Sequence, residues 1–221
     1  MDSDDMALVD SKKMISDLLN ISQIVDSYPD KEFASPSRST VALLSWLKDS
    51  GRVEATLNRC GLVRPEEYHF EYTASPLYKK QDEHGRGKSS CTDLMVVGAG
   101  GVLAIEAKWR EPKYPTVGKW LDDPNGDKLN RLKVLKGWIN RLVLEDADID
   151  LTRYSEIVYQ LLHRAASAVK AAGSDKTPGM AMIVFSLEGD AGQDINEYKE
   201  QLLKLKKAPG MGKVGVFLIE V

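Results

Sequence analysis

The chain has 221 residues, 43% hydrophobic and 29% charged, enough for one domain with a sizeable core and too balanced for a disordered polymer. Its 30 Lys and Arg against 33 Asp and Glu give a formal charge of -3, which excludes a histone-like basic coat but leaves room for a local basic groove. No apolar run reaches the length of a membrane span, and the two cysteines, Cys60 and Cys91, form neither a CxxC pair nor a disulfide framework.

The first residues, Met1 to Met6, are acidic and lack the basic-then-apolar pattern of a secretory signal, so the expected compartment is a reducing cytoplasm. Residues 1–36 read as an N-terminal helical extension. In it Met14, Leu18, Leu19, Ile21, Ile24 and Val25 are spaced as one amphipathic helix, ended by the run from Tyr28 to Pro36. Residues 37–221 read as one further domain. A helix is predicted from Ser39 to about Arg59, a short alternating strand over Tyr68–Tyr72, and a polar loop over Lys79–Ser90. Strands over Thr92–Val97 and Val102–Trp109 follow, joined by Gly98-Ala99-Gly100-Gly101. The segment Glu111–Asp127, with Pro112, Pro115 and Pro124, reads as irregular. Helices over Lys128–Leu144 and Tyr154–Ala172 come next. A buried strand over Met180–Leu187, a helix over Ile195–Lys207 and a strand over Val214–Val221 complete the order. Strands separated by long helices are joined by crossovers, so the fold class is α/β: a mixed β-sheet flanked by α-helices.

The chemistry gathers around the two central strands. Side chains alternate along a strand, so Glu106 and Lys108 point the same way as Val102 and Ala104. With Gly98–Gly101 as a four-residue hairpin loop, Val97 pairs with Val102 and Asp93 falls opposite Glu106. Directly opposed residues have Cβ atoms roughly 5 Å apart, where like charges destabilise a sheet. A divalent cation between the two carboxylates removes that repulsion, and hard oxygens at this spacing suit magnesium.

Asp93, twelve intervening residues, and Glu106-Ala107-Lys108 on an apolar strand resemble the PD-(D/E)XK nuclease superfamily, the restriction-endonuclease-like fold. That family's core order of helix, three strands, helix and strand is similar to residues Ser39 to Leu187. Thr92 stands where the family pattern has proline. The resemblance implies that Asp93, Glu106 and the backbone carbonyl of Ala107 hold Mg2+, with Mn2+ as a substitute. It implies that Lys108 helps to activate water and to stabilise charge on a phosphodiester. It further implies a third carboxylate from the first core helix. Glu54, in line with Leu44, Leu47 and Gly51, is the candidate, and Glu71 on the following strand is the rival. Gln160 falls on the helix after the E-x-K strand, where some members place a glutamine that touches the active site. His163 reads as a hydrogen-bonded spectator and not as a general base.

Contact with DNA must come from local charge. The Lys128–Arg141 helix carries Lys128, Arg131, Lys133, Lys136 and Arg141 without one acidic residue. Lys79, Lys80, Arg86 and Lys88 precede Asp93, and Lys113 and Lys119 follow the E-x-K strand, so these positions are expected to neutralise phosphates beside the site. The expected activity is that of a metal-dependent DNA endonuclease in restriction, phage defence or repair, working as a homodimer or in a larger complex. One alternative is a catalytically silent nuclease-fold subunit that binds nucleic acid or protein. Another is a nucleotide-binding domain built on Val96–Ala104, whose glycines imitate a G-x-G turn but lead to Leu103 where a small residue is needed. Truncating Glu106 or Lys108 to alanine is expected to leave the chain folded, because it relieves a crowded polar patch.

Overall fold

A computed structural model describes residues 13–34, 38–87, 89–109, 114–143, 149–185 and 195–221. Strands β1 (Met14–Ile15), β2 (Pro65–Ala74), β3 (Ser90–Gly98), β4 (Gly101–Lys108), β5 (Thr177–Val184) and β6 (Gly215–Glu220) form one six-stranded sheet in chain order. Neighbours from β1 to β4 are antiparallel, and β5 and β6 run parallel to β4. The connections dictate this. A tight turn at Ala99–Gly100 reverses the chain between β3 and β4, whereas long helical crossovers bring β5 and β6 back in the same direction.

Helices cover both faces. On one, α1 (Ile21–Ser27), α2 (Ser39–Leu47) and α3 (Ser50–Arg59) pack Ile24, Leu47 and Leu57 against Leu94, Leu103, Ile105 and Ile183. On the other, α5 (Lys128–Leu142), α6 (Tyr159–Ala172) and α7 (Ile195–Lys206) pack Trp138, Leu161 and Leu202 against Met95, Ala104 and Met182. Consecutive residues of β3 and β4 therefore feed opposite cores, and every residue of β4 is buried. A short helix, α4 (Val117–Asp122), precedes α5. Among the described residues no helix is long and apolar enough to cross a membrane.

Four elements differ from the sequence expectation, the first being α4, which forms within the segment 111–127 read as irregular. The helix predicted over Ser39–Arg59 is two: Asp49 turns out of helical conformation and its side chain accepts a hydrogen bond from the Arg52 N–H, capping α3. The apolar residues from Tyr154 to Val158 belong to a 3-10 turn and a bridge to Thr116, so α6 begins at Tyr159. The segment read as a helical extension supplies β1 at the sheet's edge. It also places Ile15, Ile21, Ile24 and Tyr28 in the core beneath α2 and α3.

The β3–β4 register pairs Val97 with Val102 and Leu94 with Ile105, so one step further Asp93 stands abreast of Glu106. On the other side Phe70 pairs with Leu94 and Tyr72 with Thr92, which sets Glu71 abreast of Asp93. Glu71 has φ 51, in the left-handed region that a non-glycine residue rarely adopts. The strand changes phase there. Tyr68 and Phe70 enter the core beneath α2 and α3, while Tyr72 and Ala74 enter the opposite one.

Candidate active site

Three acidic residues, Glu71, Asp93 and Glu106, thus lie in one row across β2, β3 and β4. The alternation that sends Met95 and Ala104 toward α5 and α6 sends Asp93, Glu106 and Lys108 the same way. The β3–β4 pairing ends at Leu94 and Ile105, and beyond it Asp93 Oδ2 accepts a hydrogen bond from the Ala107 N–H at 2.8 Å. A side chain there takes the place of the next ladder partner. The Ala107 carbonyl lies on the same edge of β4 as its N–H and so faces β3 as well.

Glu106 is 1% exposed and both its oxygens are engaged. Lys108 Nζ donates to Oε1 at 2.7 Å, and Arg164 Nε donates to Oε2 at 2.6 Å. Arg164 also donates through Nη1 to Ser90 Oγ at 2.6 Å, and Ser90 Oγ lies 2.8 Å from His163 Nδ1. Burial disfavours charge on Arg164, but the Glu106 and Asp93 carboxylates outweigh it and hold the guanidinium firmly protonated. Burial first, then the charges of Arg164 and Lys108, lower the His163 pKa far below the ordinary imidazole value. That residue is neutral at physiological pH. Asp93 has no cation bonded to its carboxyl oxygens among the described residues. Burial, and next the Glu106 charge, push its carboxyl up to about 7 against the pull of Arg164, the Ala107 N–H and Lys108.

These groups open into a cleft of about 820 Å³, lined by Asp93, Glu106, Lys108 and Arg164 together with Tyr28 and Glu71. Lys13 ties the last two together: its Nζ lies 2.7 Å from Glu71 Oε2 and 3.7 Å from the Tyr28 ring centre. Among the described residues no three His, Cys, Asp or Glu side chains cluster closely enough to hold an ion by themselves. A hard divalent cation, were one to bind in this cleft, would have the oxygens of Asp93, Glu106 and the Ala107 carbonyl as its candidate donors. The residues fit such an ion. The donors are hard oxygens, and Asp93 is a carboxyl whose charge nothing nearby fully offsets.

Gln160, 4% exposed, lines the same cleft, because α6 packs against β3, β4 and β5. Glu54 does not reach it. Helix α3 turns Val53, Thr56 and Leu57 to the sheet, which leaves Glu54 exposed on the outer surface, so the proposed ligand role on that helix is corrected. Glu71, its rival, is the carboxylate at the cleft. The basic helix stands apart from the cleft. Lys128 pairs with Asp122 at 2.8 Å, Arg131 with Asp123 at 2.9 Å, and Lys136 with Glu83. Of Lys128, Arg131, Lys133 and Lys136, only Lys133 has no ion pair among the described residues, and none of the four lines the cleft. Lys88 and Lys113 lie outside the described residues.

Arg164 and Ser90 are the site residues that sequence reasoning did not select. Arg164 had a signal, one helical turn from Gln160, whereas Ser90 had none before the start of β3 was known. The Gly98–Gly101 stretch turns directly into β4 and not into a helix, so the strand-turn-helix that a nucleotide-binding turn requires is not formed. Glu106 also corrects an expectation: its removal strands Lys108 and Arg164 in the interior and cannot leave stability untouched.

No curated protein and no solved structure matches the chain. One family profile does, described as "Domain of unknown function (DUF6946)", over residues 17–215. That span takes in Glu71, Asp93, Glu106, Lys108, Gln160 and Arg164, and the chain belongs to this DUF6946 family.

Proposed function

We propose that the protein is a metal-dependent phosphodiesterase acting on DNA, an endonuclease with a restriction-endonuclease-like core. The observation that carries this reading is Asp93 abreast of Glu106 on adjacent strands, with Lys108 Nζ 2.7 Å from Glu106, at the floor of an open cleft. Like charges opposed on a sheet are unfavourable unless a cation is bound between them. Asp93, Glu106 and the Ala107 carbonyl would hold Mg2+ or Mn2+, which when bound supplies Lewis-acid stabilisation and a water of lowered pKa.

The chain's own residues do the rest. Lys108, 6% exposed, offers an ammonium to the charge that develops on a phosphoryl oxygen, where low dielectric makes it effective. Arg164 fixes the Glu106 carboxylate from below. Gln160 presents an amide that can donate to a phosphate oxygen or accept from water. Cleavage of both strands of a duplex would call for a symmetric dimer, and restriction, phage defence or repair in the cytoplasm is the setting such chemistry suits.

The test is purified protein on plasmid DNA with Mg2+, with Mn2+ or with EDTA. Nicking or linearisation with metal, lost in EDTA and reduced about 10²–10³-fold in Lys108→Ala, is the expected result. Protein that binds no divalent ion calorimetrically and cuts neither duplex nor single-stranded DNA would sink the proposal. One observation favours a second reading. Glu106 is already neutralised by Lys108 and Arg164, as in a silent nuclease-fold subunit that binds nucleic acid or protein without cutting it. That reading expects DNA retention indifferent to EDTA.

A further inference from the structure

Tyr28 follows the last turn of α1, where its N–H donates to the Val25 carbonyl at 3.1 Å and Pro29 comes next. Two contacts hold its ring. Lys13 Nζ lies over one face, 3.7 Å from the ring centre, and Phe33 packs against it as a T-shaped pair at 6.4 Å. The residue is 8% exposed and lines the cleft. Its hydroxyl makes no hydrogen bond among the described residues, yet it is not one of the polar atoms sealed in the interior. The carboxylates whose charge it feels most are Glu71 and then Asp93, both residues of the cleft. A nearly buried, rigidly held polar group with no partner in the protein calls for one from outside. Burial first, then those two charges, keep the phenol protonated well above physiological pH. Held so, it is a donor and neither a base nor a nucleophile.

We propose that the Tyr28 hydroxyl is a substrate-contacting group, which donates a hydrogen bond to a non-bridging oxygen of the phosphate that is cut. This rests on the nuclease reading and deepens it, because it gives the N-terminal segment a part in the chemistry. Glu71 and Asp93 repel a phosphate. Lys13 offsets Glu71 at 2.7 Å, and the phenol adds a donor among these acids without adding a charge. The phosphoryl oxygens gain charge as the bond to the leaving group breaks, so the bond from Tyr28 strengthens in the transition state and acts on rate more than on affinity. A ring already fixed by Lys13 and Phe33 needs no reorganisation to make it. A ring that served packing alone would leave the hydroxyl dispensable.

Tyr28→Phe removes the hydroxyl and keeps the ring. Single-turnover cleavage with Mg2+ is expected to slow about 10–100-fold, the worth of one hydrogen bond to a charged oxygen, while DNA affinity measured in EDTA stays within about twofold. A second comparison separates contact from packing. Oligonucleotides carry a phosphorothioate of either configuration at the mapped position of the cut, so that sulfur, a poor acceptor, replaces one non-bridging oxygen. One of the two is expected to slow wild type by a similar factor and Tyr28→Phe hardly at all, because the bond it removes is already gone. That comparison is made within each protein, so it stands even where the variant melts earlier. Tyr28→Phe cutting at the wild-type rate overturns the inference, and so do sulfur penalties of equal size in both proteins. Wild type that cuts DNA while either of those results holds loses only the role of Tyr28. Wild type that cuts no DNA with Mg2+ or Mn2+ loses the nuclease reading, and the role of Tyr28 with it.

Discussion

Asp93 and Glu106 are two carboxylates in one row with opposite circumstances. Glu106 has a cation on each oxygen, while Asp93 has one backbone N–H and faces the Glu106 charge. The consequence for pH has a definite sign. Below the ordinary carboxylate range Asp93 is protonated in both the folded and the unfolded chain and carries no penalty. As pH rises from about 4 toward 7 the unfolded chain releases the proton freely, while the folded state resists, so Asp93 lowers stability progressively through that window. His163 acts in the opposite sense, since it stays neutral in the fold while the unfolded imidazole gains a proton below its ordinary value. Comparing wild type with Asp93→Asn isolates the aspartate. In EDTA the variant's advantage in melting temperature is expected to grow between pH 5 and pH 8, and millimolar Mg2+ is expected to shrink it by stabilising wild type alone. A constant difference across that range would mean that Asp93 titrates normally.

At the scale of elements, the Glu106–Arg164 pair is a strut between β4 and α6, and Ser90 extends it to the start of β3. Buried pairs of this kind add little over a packed apolar core, yet breaking one from a single side costs about 3–5 kcal/mol. Glu106→Ala is therefore expected to lower stability by that order in chemical denaturation, a large part of a domain's usual 5–15 kcal/mol. Glu106→Gln keeps an oxygen for one donor and should lose less, so it is the proper probe of activity. Equal midpoints for the two variants would argue against the strut. The pair was half legible in the sequence. Period-two alternation and a four-residue loop placed Asp93, Glu106 and Lys108 on one face, because a hairpin's register follows from its turn. Helical spacing could not do the same for α2 and α3: their apolar residues continue in phase across Asp49, and only the cap separates them. Glu71 entered only as the rival to Glu54 for a related reason. Alternation over Tyr68–Tyr72 gives no sign of the positive φ that changes the strand's phase there.

Across the whole molecule, one sheet serves two cores, and the candidate site opens where the elements of both meet. Tyr28 and Glu71 form a wall of the cleft, and Lys13 joins them from the segment that sequence alone set apart as an extension. Met14, Ile21, Ile24 and Val25 fit a helical stripe, of which α1 forms a part, whereas two residues of strand, Met14 and Ile15, are too short to produce a period of their own. The segment packs into the core. Ile15, Ile21, Ile24 and Tyr28 are each less than a tenth exposed, and β1 covers the edge of β2. Burial of one large apolar side chain contributes about 1.5–3 kcal/mol, so four of them approach the entire stability of an ordinary domain. Removing residues 1–36 is therefore expected to yield a chain that binds a hydrophobic dye, melts without a cooperative transition and associates through the bared β2 edge. Ile15→Ala, a milder cut at the same seam, should cost about 2–5 kcal/mol and leave the fold recognisable by circular dichroism. A shortened chain with the wild-type melting temperature would restore the separate extension, and would also mean that the wall formed by Tyr28 is dispensable to the cleft.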